Sequence, residues 1–199
     1  RAYFALDLVT GREEVLADFG PGHDAFRVSP DGTKVAFHSG RGGATLNVFV
    51  AELPAGTPRQ LTFDEEFAAF PCWSPDGATI AFEAKRGSDV HVFTVPASGG
   101  APVQLTHRAG QSWPYSFSPD GTKVAFAGLR DGVWNVGWVS RDGATESSVT
   151  RNARLNVYVR YPAWSPAGDA IYYEVAETTG NIWLLERPAP ADRRDGGKP

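Results

Sequence analysis

The hydrophobic positions of this chain fall in short runs, and the runs recur. Val35-Ala36-Phe37, Ile80-Ala81-Phe82, Val124-Ala125-Phe126 and Ile171-Tyr172-Tyr173 are apolar on consecutive residues, not on alternate ones. Runs this short, rich in β-branched and aromatic residues and each entered from a glycine-containing turn, read as strands. Apolar residues on successive positions of an antiparallel strand mean that both faces are covered. That happens when twisted sheets stack face to face around an axis. The small alanine in the middle of three of the runs lets neighbouring sheets approach.

The turns carry the same period. Ser-Pro-Asp-Gly stands at 29–32, 74–77 and 118–121 and decays to Ser165-Pro166-Ala167-Gly168, so the intervals are 45, 44 and 47 residues. A fixed period of this size marks a repeat of about one propeller blade. Proline pre-sets φ at the first turn position, Asp accepts local backbone hydrogen bonds, and Gly takes the positive φ of a tight reversal. Ala167 removes the Asp, and Asp169 is expected to replace it as acceptor in a weakened turn.

Four strands, a to d, fit each period. In the unit over 67–107 they are 69–74, 79–84, 90–95 and 102–106, with a polar loop over 85–89. Strand d recurs as Arg59-Gln60-Leu61-Thr62, Val103-Gln104-Leu105-Thr106 and Ser147-Ser148-Val149-Thr150. The expected class is all-β: a β-propeller of four-stranded antiparallel blades occupying 1–188. Full blades are expected over 23–63, 67–107 and 111–151, strands c and d over 2–19, strands a to c over 157–188, and a polar tail or linker over 189–199. Seventeen strands are one too many for a ring of four blades and seven too few for six. The pattern therefore predicts three full and two partial blades of a larger, six-bladed ring, with upstream sequence missing. A start at Arg1 and the absence of methionine agree with an excised or processed segment.

Composition narrows the classes. The net charge of −4, with both signs mixed along the chain, leaves no basic stripe to neutralise phosphates, which argues against nucleic acid as a partner. No apolar run approaches membrane-spanning length, so no membrane insertion is expected. The single cysteine, Cys72, lies in a core-like strand between Pro71 and Trp73 and reads as a small buried thiol. Oligomeric state is not readable.

Candidate chemistry gathers in the loops that do not repeat. The d-to-a loops hold His23-Asp24, Asp64-Glu65-Glu66, His107-Arg108 with Gln111, and the stretch 152–160; the b-to-c loops hold Arg41, Lys85-Arg86 and Arg130-Asp131. Variable polar loops on a rigid repeat are where recognition resides. Asp64-Glu65-Glu66 reads either as a site for a cation or basic partner or as a solvated loop. Arg41, Arg86 and Arg130 recur in register, which suits a structural role. Entries to strand a bring Phe26-Arg27, Phe67, Trp113 and Arg160-Tyr161 toward the axis, as a binding mouth or as core. The candidate binding set is His23, Asp24, Arg27, Asp64, Glu65, Glu66, His107, Arg108, Gln111, Trp113, Arg160 and Tyr161. No catalytic or metal-ligating residue is predicted. Gly110-Gln111-Ser112-Trp113-Pro114 lacks the second glycine of a nucleophile elbow, the four histidines lack zinc-ligand spacing, and no phosphate-binding loop points to a cofactor.

Phe-Pro-Cys-Trp-Ser-Pro-Asp-Gly (70–77) with Ile80-Ala81-Phe82 and Val103-Gln104-Leu105-Thr106 resembles the repeat of TolB-type, WD40-related β-propellers, over roughly residues 2–188. The family's Trp before Ser-Pro is Val28 and Phe117 in two units. The resemblance implies a non-catalytic propeller that binds a protein or peptide through its loop face and channel mouth, in a periplasmic or other extracytoplasmic setting. It leaves two alternatives: a gating propeller of a prolyl-oligopeptidase-like or tricorn-like peptidase, or a sensor propeller of a bacterial kinase or regulator.

Overall fold

The computed structural model describes residues 2–41, 43–54 and 56–178, and every regular element within them is a β-strand. Ala2–Leu6 (β1) and Glu13–Asp18 (β2) pair as an antiparallel hairpin. His23–Val28 (β3), Lys34–Ser39 (β4), Asn47–Glu52 (β5) and Arg59–Gln60 (β6) form the first complete four-stranded sheet. Ala68–Trp73 (β7), Thr79–Arg86 (β8), Asp89–Pro96 (β9) and Val103–Gln104 (β10) repeat it. So do Gln111–Phe117 (β11), Lys123–Arg130 (β12), Val133–Ser140 (β13) and Glu146–Ser148 (β14). Val157–Trp164 (β15) pairs with Ile171–Glu177 (β16). The third strand expected within 157–188 and the tail over 189–199 lie outside the described residues.

The core lies between sheets. Val35 and Phe37 cluster with Ala17 and Phe19 of the preceding pair, whereas Ala36, between them, clusters with Ile80 and Phe82 of the next sheet. Ala81 in turn faces Val124 and Phe126, and Ala127 packs with Val159. Each central strand thus sends large side chains toward the sheet before it and a methyl toward the sheet after it. A fully buried aromatic side chain contributes on the order of 1.5–3 kcal/mol by leaving water, and Phe37 and Phe82 do so at the first two joints of this kind. On the last pair, Tyr172 occupies the alanine position and is 65% exposed.

The turns explain their own repetition. Ser29 Oγ donates to Asp31 Oδ1 (2.6 Å) and accepts from Lys34 N (2.9 Å), while Asp31 Oδ1 also accepts from Thr33 N (3.0 Å). The same set forms at Ser74-Asp76 and Ser118-Asp120, with Gly32, Gly77 and Gly121 at φ of 74°, 65° and 70°. In the degenerate copy Ser165 Oγ donates to Asp169 Oδ1 at 2.7 Å, so the acceptor has moved along the chain and the turn survives. Ser140-Arg141-Asp142-Gly143 builds the same turn between β13 and β14.

Strand d is shorter than its apolar pattern suggests because its final threonine turns inward. Thr62, Thr106 and Thr150 each accept, through Oγ1, the N–H of Val48, Val92 or Val136 at 2.9 Å. Thr62 and Thr150 also donate to Asn47 and Asn135. The loop expected over 85–89 is instead a two-residue reversal: Arg86 pairs with Asp89, and Gly87 takes a φ of 64°.

One joint departs from separate antiparallel blades. Val90 pairs in parallel with Gln111, and Val90 N donates to Gly110 O at 3.0 Å, so the second and third sheets become a single hydrogen-bonded sheet of eight strands. Asp89 Oδ1 draws the loop in by accepting Gly110 N at 2.9 Å. Glycine is required there, since a Cβ would lie 2.2 Å from Leu129 O.

Phe82→Ala is expected to lower unfolding free energy by about 3–5 kcal/mol, and Ala81→Leu, which overfills the opposite joint, by about 1–3 kcal/mol, in urea titrations followed by tryptophan fluorescence. A second expectation concerns acid. Hydrogen bonds from Ser29, Ser74 and Ser118, followed by the backbone N–H groups of Thr33, Ala78 and Thr122, lower Asp31, Asp76 and Asp120 from 3.8 to about 2. Because folding lowers these values, the ionised aspartates stabilise the native state above the ordinary carboxylate range, and that stabilisation drains away as pH falls through about 2. The Asp31→Asn, Asp76→Asn, Asp120→Asn triple variant should lose stability at pH 7 and show a flatter decline between pH 4 and pH 2.

Candidate functional site at the channel mouth

The innermost strand of each unit carries a β-bulge at the same place. Between Asp24 and Arg27, Ala69 and Cys72, Pro114 and Ser116, and Arg160 and Ala163, one extra residue opposes the neighbouring strand. Three bulges place a side-chain-bearing residue in the left-handed region: Ala25 at φ 56°, Phe70 at 51° and Tyr161 at 52°. Such backbone is uncommon for Ala and unusual for bulky residues, and each position costs on the order of 1 kcal/mol or more. The third bulge has Pro114 at the matching position, whose ring fixes a negative φ. The sequence did hold a signal for these bulges. Pro71, Pro114 and Pro162 lie inside runs otherwise patterned as strands, and proline within a sheet is confined to edges and bulges.

Contacts between adjacent units fix the bulges. Phe70 N donates to His38 Nδ1 at 3.1 Å, and the two rings meet edge to face at 4.9 Å. Trp73 Nε1 donates to Arg27 O at 2.8 Å, a bond that Val28 and Phe117 cannot make at the same position in their own units. Ser116 Oγ bridges Pro162 O and Trp164 N, both at 3.2 Å.

All four inner strands then converge on one cavity of about 550 Å³. Asp24 and Arg27 come from β3, Phe70 and Cys72 from β7, Trp113 and Tyr115 from β11, Arg160 and Tyr161 from β15, and Glu83 from β8 beneath them. Tyr115 and Tyr161 meet edge to face at 5.5 Å. Trp113 is half-buried against Trp134, 4.4 Å between ring centroids, so it serves wall and core together.

Burial sets the electrostatics. Desolvation pushes the Glu83 carboxyl from 4.5 up to about 8, so it holds its proton at neutral pH. Cys72 is pushed up to about 12 by burial, against a smaller opposite pull from Arg27; it is a thiol and not a nucleophile. Burial lowers His38, with Asp24 opposing, and raises Tyr115, with Tyr161 and Glu83 adding to the rise. Among the described residues no group of three or more His, Cys, Asp or Glu is arranged to hold a metal.

Five of the sequence-selected residues therefore meet at this mouth: Asp24, Arg27, Trp113, Arg160 and Tyr161. The others lie elsewhere. His23 is buried among Tyr3, Phe19 and Phe37. Asp64 forms an ion pair with Arg86 (2.6 Å), and Glu66 accepts Gly87 N (2.8 Å) and pairs with Lys85 (3.4 Å), so two of the three acids are spent on their own hairpin; Glu65 is exposed. Gln111 lends its carbonyl to Arg130, which also donates to Ser112 Oγ at 2.6 Å, and Ser112 is fully buried. His107 and Arg108 are exposed on the loop before β11. Arg41 donates to Phe19 O, so all three recurring arginines bind within the fold. Pattern reading missed Glu83, Phe70 and Tyr115. Glu83 alone had a visible mark, an acid directly after an apolar strand motif.

The TolB beta propeller domain family matches residues 2–186. The chain is similar to the structure of a putative TolB from Agrobacterium tumefaciens, with TM-score 0.74 and 23% identity over 88% of this chain and 63% of that one. TolB from Acinetobacter baumannii gives TM-score 0.61 and 26% identity over 73% of this chain and 36% of that one. Dipeptidyl peptidase 4 from Porphyromonas gingivalis gives 0.60 and 14% over 77% and 23%. The chain thus spans less than two thirds of each of these structures. No helix among the described residues is long and apolar enough to cross a membrane. The match over nearly the whole chain, together with four-stranded sheets stacked about one axis, shows that this chain belongs to the TolB β-propeller family.

Proposed function

We propose that this chain is a non-catalytic binding module that takes a protein or peptide segment at the channel mouth, with Asp24, Arg27, Trp113, Arg160 and Tyr161 as contact residues. The observation that carries the reading is the repeated bulge. Two large aromatics, Phe70 and Tyr161, are held in left-handed backbone at the cavity wall. Burial does not call for large side chains there, since Phe70 and Tyr161 are 52% and 60% exposed. Strain kept at a cleft is a mark of function, and exposed aromatics beside arginine are the residues that dominate binding energy at interfaces. Of the candidates outside the mouth, Glu65, His107 and Arg108 would form an outer contact ring, and an extracytoplasmic setting goes with this reading. A second reading, a propeller gating a peptidase, uses the same open mouth. It requires a hydrolase domain in the parent reading frame, and the sensor reading requires a signalling domain there.

Peptides selected from a random display library on the wild-type chain test the proposal. Tyr161→Gly removes the aromatic and relieves the left-handed strain, so capture should fall at least about tenfold, as for a hot-spot residue, while the thermal transition stays level or rises. Peptides that bind this variant as well as wild type would count against the mouth as the site. Trp113→Ala is less diagnostic, because it also strips Trp134 of its partner.

A further inference from the structure

Packing does not require an acid at position 83. The same strand position in the third unit is Ala127, fully buried. In the second unit it is a carboxyl that is 8% exposed and lines the cavity. Among the described residues no hydrogen-bond donor or ion-pair partner reaches it, and desolvation alone accounts for its displacement from the ordinary carboxyl range. Its cross-strand neighbours, Ala69 and Val92, are apolar.

The groups facing the same space are unequal in sign. β3 brings Asp24 and Arg27, β7 the neutral Cys72, β11 Tyr115, and β15 Arg160 and Tyr161, while His38 of β4 meets the wall only through Phe70, whose N–H it accepts. Asp24 is engaged locally, accepting Ala25 N at 2.8 Å. Both guanidinium groups are exposed at the rim, and no ion pair within the described residues occupies Arg160. The cavity is therefore rich in donors and short of acceptors.

Resting on the reading of this mouth as a peptide site, we propose that the cavity recognises a carboxylate of its ligand, with Arg27 and Arg160 supplying charge at the rim and the buried Glu83 carboxyl supplying a hydrogen bond at the floor. Protonated, Glu83 offers an O–H without adding negative charge. A bond from a carboxylic acid to a carboxylate is short and charge-assisted. A cationic side chain would meet two guanidinium groups and a neutral acid, with Asp24 the one carboxylate on the wall to set against them, and an amide would gain no charge pairing.

The carboxylate has two sources in a peptide, an acidic side chain or the C-terminus, and small probes separate them. N-acetylglutamate α-amide and N-acetylglycine are titrated against the chain, with the glutamine and lysine α-amides as controls, following the Trp113 indole N–H by NMR. At least one carboxylate should saturate the signal and the controls should not; saturation by the first assigns the side chain, by the second the terminus. Arg160→Gln and Arg27→Gln should each weaken binding about tenfold, the scale of a hydrogen bond to a charged group. Affinity should fall about tenfold per pH unit above pH 8, as Glu83 ionises. Glu83→Gln should bind at pH 7, flatten that alkaline decline and raise the thermal transition, while Glu83→Ala, mimicking Ala127, should fold and bind more weakly. Equal binding of the glutamine probe, tighter binding of the lysine probe at high pH, or no saturable carboxylate binding overturns the proposal. Tyr161-dependent peptides that bind unchanged after every carboxylate is amidated overturn it too, yet leave the peptide-site reading standing. Failed peptide selection beside intact carboxylate binding strikes that reading alone.

Discussion

The second strand of each complete sheet is buried on both faces, and the sizes of its side chains are divided between those faces. Large residues such as Val35, Phe37, Ile80 and Phe82 point one way, and Ala36 or Ala81 points the other. This division lets one sheet seat its bulk against the backbone of the next, at the close packing that protein interiors require. Sheet spacing, and with it the convergence of the inner strands, follows from that arrangement. The cavity at the mouth exists because four inner strands are brought to one axis and kept from collapsing onto it by their bulges.

The polar devices serve the same geometry. Serine and aspartate close the hairpin turn with side-chain bonds, and inward-turned threonines anchor the short outer strands. Arg59 and Arg141 reach from one unit to the next, to Ala97 O at 2.8 Å and to Asp76 at 3.1 Å. None of these bonds needs a unique sequence context. That is why the unit can be copied with substitutions, and why the degenerate copy survives the loss of its aspartate.

Much of the fold was legible because it rests on local chemistry repeated in register: the turn, the apolar triplet and the Leu-Thr ending of strand d. The candidate site was legible only in part. Arg27, Trp113, Arg160 and Tyr161 could be placed near the axis because strand entry is set by the repeat, but the bulge that aims them depends on pairing across strands, which spacing does not encode. Charge was misleading where side chains closed on their own unit, as Asp64 and Glu66 do with Arg86, Lys85 and Gly87. Glu83 was hidden for the opposite reason: its burial comes from neighbouring inner strands far away in sequence.

The joints between sheets are not all of one kind. Packing, side-chain bonds and a main-chain bond from Ala68 N to Leu46 O (2.9 Å) join the first sheet to the second, and the Val90–Gln111 bridge makes the second and third one continuous sheet. Opening either seam must break main-chain bonding as well as expose apolar surface. Three walls of the mouth, β3, β7 and β11, thus belong to sheets tied to one another through the main chain, whereas the fourth, β15, is tied to β11 through the Ser116 side chain.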